Sequence, residues 1–242
     1  GKTEEDILNF YNNAVEERNS IENSDEIKRK LTAEVNTAYE KALENAKELS
    51  KTRIFAGNLF SKNVCEELRF LDMPSVRFAV DIKDCPLCEN GIDKVEFLLS
   101  ANVGEDLKPL SKIASGGELS RIMLAIKSVL SEKDGISTLV FDEIDTGVSG
   151  SAAQKIAVKL KQVSHSHQVI CVTHLAQIAA YADEHLFISK SEHDGQTYTE
   201  LKSLSLDERK SELARIMGGF EVTSAMLESA EQMLLSANKV DK

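Results

Sequence analysis

The sequence predicts an α/β protein: a mostly parallel sheet flanked by helices, preceded by a helical arm. Three observations lead there. Apolar residues through the first seventy positions recur every three or four residues, the period of an α-helix. Beyond Met73-Pro74, short apolar runs such as Leu139-Val140-Phe141 alternate with helical stretches, the pattern of buried parallel strands covered on both faces. Aromatic residues make up only 5% of the chain, with no Trp and three prolines, which suits aliphatic, helix-rich packing better than an all-β sandwich.

The elements follow in order. Ile7, Tyr11, Ala14, Arg18 and Ile21 step by three and four. "ENSDE" at 22–26 then supplies helix-start residues, and Asn23 with Glu26 predicts a capping box and a second helix. That helix carries Leu31, Val35, Ala38, Ala42, Ala46 and Leu49, a spacing close to a coiled-coil seam. Two ordinary amphipathic helices and a segment of coiled-coil arm both fit residues 1–72. From residue 73 to 242 the pattern is that of an α/β lobe. "SVRFAVDI" and "KVEFLLS" read as strands, and the turn-rich "KDCPLCENGID" predicts a hairpin loop between them. A helix follows Gly117. Strands are expected at 137–143 and 167–174 with a helix at 151–163 between them. A short helix, the strands "EHLFISK" and "TYTELKSL", and two helices complete the chain.

Bulk properties narrow the function. A net charge of −11 argues against non-specific nucleic-acid binding by the whole chain, because phosphate backbones reward clustered Lys and Arg. No run of 18 apolar residues exists and the first residues lack signal-peptide architecture, so no membrane partner and a cytoplasmic location are expected. The four cysteines, Cys65, Cys85, Cys88 and Cys171, read as reduced thiols. Cys85 and Cys88 form a C-x-x-C pair, but structural zinc wants four ligands and no third sulfur or imidazole is near. They are weak zinc candidates beside the plainer reading of two loop cysteines.

Three stretches carry chemistry. In "TLVFDEIDTGVSG", Asp142 and Glu143 sit at the carboxyl end of a buried strand, where ligands of open α/β sheets bind. One carboxylate there can hold Mg²⁺ and the next can polarise a water; a bare pair also reads as an acidic strand end in solvent. "VICVTH" ends a neighbouring strand in His174, which a crossover would bring near Glu143. Ser115, Gly116 and Gly117 place a hydroxyl and unshielded amides at a helix start, an anion site or a plain glycine-rich cap.

In this order and spacing the three stretches resemble the head of an ATP-binding-cassette ATPase. "SGGELSR" is similar to the signature motif, "TLVFDE" to Walker B and "IDTGVSG" to the D-loop, and "VTH" carries a switch histidine. The longer strings "LSKIASGGELSRIMLAIK", "FDEIDTGVSG" and "CVTHLAQIAAYAD" are similar to the SMC-like branch, coiled-coil ATPases of DNA repair. The likeness is close from residue 95 to 235 and looser over the helical segment. It implies the C-terminal lobe of an ATPase head with an antiparallel coiled-coil arm. Asp142 would coordinate Mg²⁺, Glu143 would be the catalytic base and His174 the switch. Ser115, Gly116, Gly117 and Glu118 would contact the γ-phosphate of ATP held by a second head. Asp145, Ser149 and Gly150 would meet that head through the D-loop. The reaction would be phosphoryl transfer to water, in double-strand-break repair.

The phosphate cradle of such enzymes, G-x-x-x-x-G-K-[ST], is missing. Only "GKT" at 1–3 echoes it, with no strand to deliver the turn, and it reads as chance. The resemblance therefore implies a C-terminal part that begins within the arm, is inactive alone, and needs an N-terminal lobe to hold ATP and Mg²⁺. The implied partners are that lobe, a second head and DNA, at the nucleoid. A non-catalytic coiled-coil scaffold is the competing reading; a transporter subunit fits the arm and the extended signature less well.

Overall fold

The structure is a computed structural model. It describes residues 3–102, 104–112, 116–130, 135–193, 196–219 and 221–239, with the side chain of 193 excepted. Helix α1 spans Glu4–Phe70; β1 (Arg77–Cys88), β2 (Gly91–Ser100) and β3 (Lys108–Pro109) follow. Then come α2 (Gly116–Leu130), β4 (Thr138–Phe141), α3 (Gly150–Ser164), β5 (Gln168–Cys171) and α4 (Ala176–Ala179). Strands β6 (Leu186–His193) and β7 (Gln196–Ser203) precede α5 (Leu206–Gly218) and α6 (Ser224–Ala237).

The sequence predicts two helices before residue 70, and the structure has one. "ENSDE" lies inside α1, and the Asn23–Glu26 box does not form. In a solvated helix interior these residues cost no more than about 0.7 kcal/mol each. Local bonds soften that: the Ser20 and Ser24 hydroxyls donate to the Glu17 and Ile21 carbonyls, and Lys30 pairs with Glu26 at 2.8 Å. The capping box lies instead at the helix start. The Thr3 hydroxyl accepts from the Asp6 amide at 3.3 Å, and the Asp6 carboxylate accepts from the Thr3 amide at 3.2 Å. The helix ends on Asp72, left-handed at φ 59°. The Met73 amide returns to the Leu68 carbonyl and the Asp72 amide to that of Arg69, a Schellman stop.

The chain divides into two compact units, Gly1–Ala56 with Ile82–Val95, and Gly57–Asp81 with Glu96–Lys242. This division falls within α1. In the first unit, Asp93 accepts from the Ser50 hydroxyl at 2.6 Å and pairs with Arg53 at 3.0 Å. Arg53 also donates to the Asn90 carbonyl at 2.9 Å. The predicted loop at 83–93 shrinks to Glu89-Asn90, followed by Gly91 at φ 101°, a value that favours glycine. Cys85 and Cys88 thus lie in strand β1, an outer strand of the β1-β2-β3 sheet where Pro86 removes no essential ladder bond.

In the second unit one core gathers Val64 and Leu68 from the end of α1, Leu71 just after it, Phe78 and Leu99 from the hairpin, Ile122, Leu124 and Ile126 from α2, and Ile156 and Leu160 from α3. Phe60, Phe78 and Phe97 form an aromatic triangle with centroids 5.5–5.8 Å apart. A smaller core joins α4, α5 and α6 through Ala176, Leu213, Ala214, Ala230 and Leu234.

Strands β4 and β5 pair in parallel, from Thr138↔Gln168 to Phe141↔Cys171. Leu139 and Phe141 enter the main core, while Val140, Ile170 and Val172 on the alternate positions stay exposed. Strands β6 and β7 form an antiparallel hairpin.

Candidate functional site

Strand β4 delivers Asp142 and Glu143 at its carboxyl end, both exposed to solvent. Glu143 takes φ 56°, a left-handed conformation uncommon outside glycine. A tight turn follows: the Thr146 amide donates to the Glu143 carbonyl at 3.1 Å, and the Val148 amide to the Asp145 carbonyl at 3.2 Å. Ile144 plugs this turn into the core with no exposed surface.

Asp145, expected to reach toward a second head, is turned inward and only 2% exposed. The reason is the end of β5. One Asp145 carboxylate oxygen accepts from the Thr173 hydroxyl at 2.5 Å and from the His174 amide at 2.9 Å. The same oxygen lies 3.1 Å from His174 Nδ1. Thr173 in turn accepts from the Leu175 amide at 3.1 Å. The parallel pairing expected between these strands therefore brings their ends together through Asp145. His174 keeps 75% of its side chain in solvent beside that carboxylate.

The start of α2 packs on the same turn. Ser115 lies outside the described residues. Gly116 is exposed, but Gly117, expected to be an open glycine edge, is buried. A Cβ on Gly117 would sit 2.9 Å from the Thr146 Cβ and 3.1 Å from the Glu143 and Thr146 carbonyl oxygens; one on Gly116 would sit 2.7 Å from the Glu143 carboxylate. Gly117 is demanded by close approach of the main chain, whereas at Gly116 only the movable Glu143 carboxylate stands in the way. Further along α2, the Ser120 hydroxyl donates to the Asp142 carbonyl at 2.9 Å. Arg121 Nη1 donates to the Thr146 carbonyl at 2.9 Å and the Ile144 carbonyl at 3.3 Å. Burial lowers the Arg121 pKa, and the half-buried Glu118 works the other way with less effect.

Ser149 caps α3 with extended backbone and forms no side-chain cap bond; with Gly150, at φ 55°, it is exposed. The sequence reading missed Ser120, Arg121 and Thr173. A usable signal existed for two of them, since Gly117, Ser120 and Arg121 fall at i, i+3 and i+4, one helix face.

A Mg²⁺ ion fits this donor set. Asp142 is held by its carbonyl, so the carboxylate is not consumed by the fold. Among the described residues no group of three or more His, Cys, Asp or Glu side chains converges on one point. Mg²⁺ commonly uses one or two carboxylates with water and phosphate oxygens. The C-x-x-C pair lies apart from these residues, in β1. Cys88 is exposed and its thiol donates to the Gly91 carbonyl at 3.3 Å. Burial first, then Cys88 and Asp93, push the half-buried Cys85 thiol up.

The fold places the chain in a class, that of SMC head domains. An Smc head domain with a coiled coil and joint from Pyrococcus yayanosii superposes with a TM-score of 0.57 at 25% identity, covering 83% of this chain and 37% of that one. The Smc head domain with an extended coiled coil from Pyrococcus furiosus, bound to the C-terminal domain of ScpA, gives 0.52 at 25% identity over 84% of this chain and 49% of that one. No family model matches.

Within that class the chain is homologous to the DNA repair protein RecN. It is 41% identical to RecN of Bacillus subtilis over 99% of its own length and 44% of that protein. It is 34% identical to RecN of Vibrio cholerae over 96% of its length and 42% of that protein. The chain thus spans less than half the length of the curated relatives it matches.

Proposed function

We propose that the chain is the C-terminal lobe of a RecN-like ATPase head that hydrolyses ATP during repair of DNA double-strand breaks. In this reading residues 1–72 belong to a coiled-coil arm and 73–242 to the lobe. The observation that carries it is the left-handed Glu143 beside Asp142 at the end of β4, locked against the glycine-led start of α2. Non-glycine residues held at such angles cluster where geometry serves function.

The roles divide among the residues. Glu143 accepts a proton from the attacking water, and His174 hydrogen-bonds the γ-phosphate from the other strand end. Gly116 and Gly117, with Ser115 and Glu118, meet a nucleotide carried by a second head. Ser149 and Gly150 face that head. Asp142 would hold Mg²⁺, which when bound offsets charge developing on the phosphate oxygens. Asp145 serves within its own chain, fixing Thr173 and His174 relative to Glu143.

ATP itself needs a second lobe, since these 242 residues contain no complete G-x-x-x-x-G-K-[ST] motif. The open side of the parallel pair supports this. Parallel strands are normally covered on both faces, yet Val140, Ile170 and Val172 are 47–66% exposed. A lobe seated there would bury them. Among the described residues no helix is long and apolar enough to cross a membrane, and a cytoplasmic, nucleoid-associated location accords with a DNA repair role. With a net charge of −11, the chain leaves most of the DNA contact to other parts of the protein.

The test is Glu143→Gln in the protein that carries both lobes. Loss of a general base slows hydrolysis by about 10²- to 10⁴-fold. ATP binding and ATP-driven pairing of heads should persist. Turnover at the wild-type rate would remove Glu143 from the role of base.

A further inference from the structure

Arg121 is the charged residue of the lobe whose position calls for a reason. It is 8% exposed, its Nη1 is spent on two main-chain carbonyls, and its Nε is buried with no partner among the described residues. Burying a guanidinium carries a desolvation cost that an aliphatic side chain of similar length would avoid. What the aliphatic side chain could not supply is donors aimed at the carbonyls of Ile144 and Thr146.

Those carbonyls belong to a larger set. Gly117, Ser120 and Arg121 share one face of α2 and together address the whole acidic turn. Ser120 holds the Asp142 carbonyl at 2.9 Å. The bare Cα of Gly117 lets the helix approach the Glu143 and Thr146 carbonyl oxygens. Arg121 takes the carbonyls of Ile144 and Thr146. The segment gripped in this way is the one that holds Glu143 at φ 56°. A non-glycine residue in that region is strained and persists only where its surroundings over-determine it.

The geometry points to Arg121 as a positioning residue that clamps the main chain following Glu143 to the helix bearing Gly116 and Gly117. The consequence rests on the functional reading above: the helix that meets one head's nucleotide fixes, in its own chain, the glutamate that acts on the other. Contact at the glycines and placement of the base become one mechanical event, and the two ATP sites of paired heads are joined through a single helix face.

The experiment compares Arg121→Gln and Arg121→Lys, both in the two-lobe protein and in this 242-residue chain. In the two-lobe protein, Arg121→Gln should lower kcat by about 10- to 100-fold, the scale on which small misplacements of reacting groups act. KM for ATP should stay near the wild-type value, and the cooperativity of turnover with respect to ATP should fall. Lys can still donate to one carbonyl and should recover part of kcat. In the chain alone, hydrogen exchange at the Thr146 and Val148 amides should accelerate in Arg121→Gln while α5 and α6 keep their protection.

If the wild type hydrolyses ATP and Arg121→Gln leaves kcat unchanged, the clamp is overturned and the site reading stands. Protection lost evenly across the lobe would make Arg121 an ordinary stabilising residue and would equally overturn the clamp. A wild-type two-lobe protein without ATPase activity would overturn the site reading, and with it the coupling that rests on it.

Discussion

Leu31 and Leu68 stand on the same helix in opposite circumstances. Leu31 is 56% exposed, as are many of its seam neighbours, including Ile27, Val35 and Tyr39, at comparable levels. Leu68 is fully buried, in one core cluster with Val64, Leu71, Phe78, Leu99 and residues of α3. Both stretches show the same three-and-four spacing of apolar residues. The comparison teaches that periodicity declares a face that wants covering and does not say what covers it. The early part of α1 is held by local terms: the Thr3–Asp6 cap and i,i+4 pairs such as Glu26–Lys30, each worth only about 0.3–0.5 kcal/mol. The late part is held by packing.

The largest effect that would break this contrast is expected at Leu68→Ala. Removing a fully buried leucine costs about 2–5 kcal/mol, the spread depending on how far the site collapses around the cavity. Denaturant unfolding followed by a signal from the second unit measures it. A loss below about 1 kcal/mol, the range of ordinary surface changes, would mean that the end of α1 merely rests on the lobe.

A smaller and pH-dependent effect belongs to the middle of α1. The Ser50 hydroxyl, aided by Arg53 and opposed by burial, holds the Asp93 carboxyl below the usual carboxylate range. The folded pKa thus lies under the unfolded value of about 3.9. The stability that Asp93 contributes is complete above that unfolded value and is lost as pH falls through the folded one. Acid titration of the hairpin amides between Cys88 and Asp93, followed by hydrogen exchange, should show protection falling below about pH 4. Asp93→Asn should flatten that dependence; an unchanged titration would mean that other groups hold the hairpin tip.

Much of the lobe could be read from sequence because its signals are strong and redundant. The apolar runs that became β4 and β5, the acidic pair after Phe141 and the glycines that open α2 each constrain backbone and chemistry together. The errors have physical causes. "ENSDE" carries helix-stop residues, but in water their penalty is tenths of a kcal/mol and the helix runs through them. "CPLCENG" looks like a loop because Pro86 and Gly91 punctuate it; an outer strand tolerates the first, and the turn needs only the second. Asp145 is expected at a second head through the D-loop, and only the end of β5 shows that three groups of Thr173 and His174 surround it. Gly117 has a second demand on it that the sequence does not show, the close approach of the Glu143–Thr146 turn.

The smallest effect sharpens the contrast most. Leu31→Ala should change the stability of this chain by no more than about 0.5 kcal/mol, the range of surface substitutions. Alanine is the better helix former, so the sign could even favour the variant. If an antiparallel helix supplied by the rest of a RecN-like protein covers the seam, the same substitution there should cost about 2 kcal/mol or more, because Leu31 then becomes a core residue. The informative quantity is the difference between the two measurements, made on the same residue with and without its cover. A large cost in the chain alone would show that the seam is already buried, by a second copy, and the unfolding midpoint would then rise with protein concentration. A negligible cost in both would leave the seam a solvated face and restrict coiled-coil packing to other positions of α1.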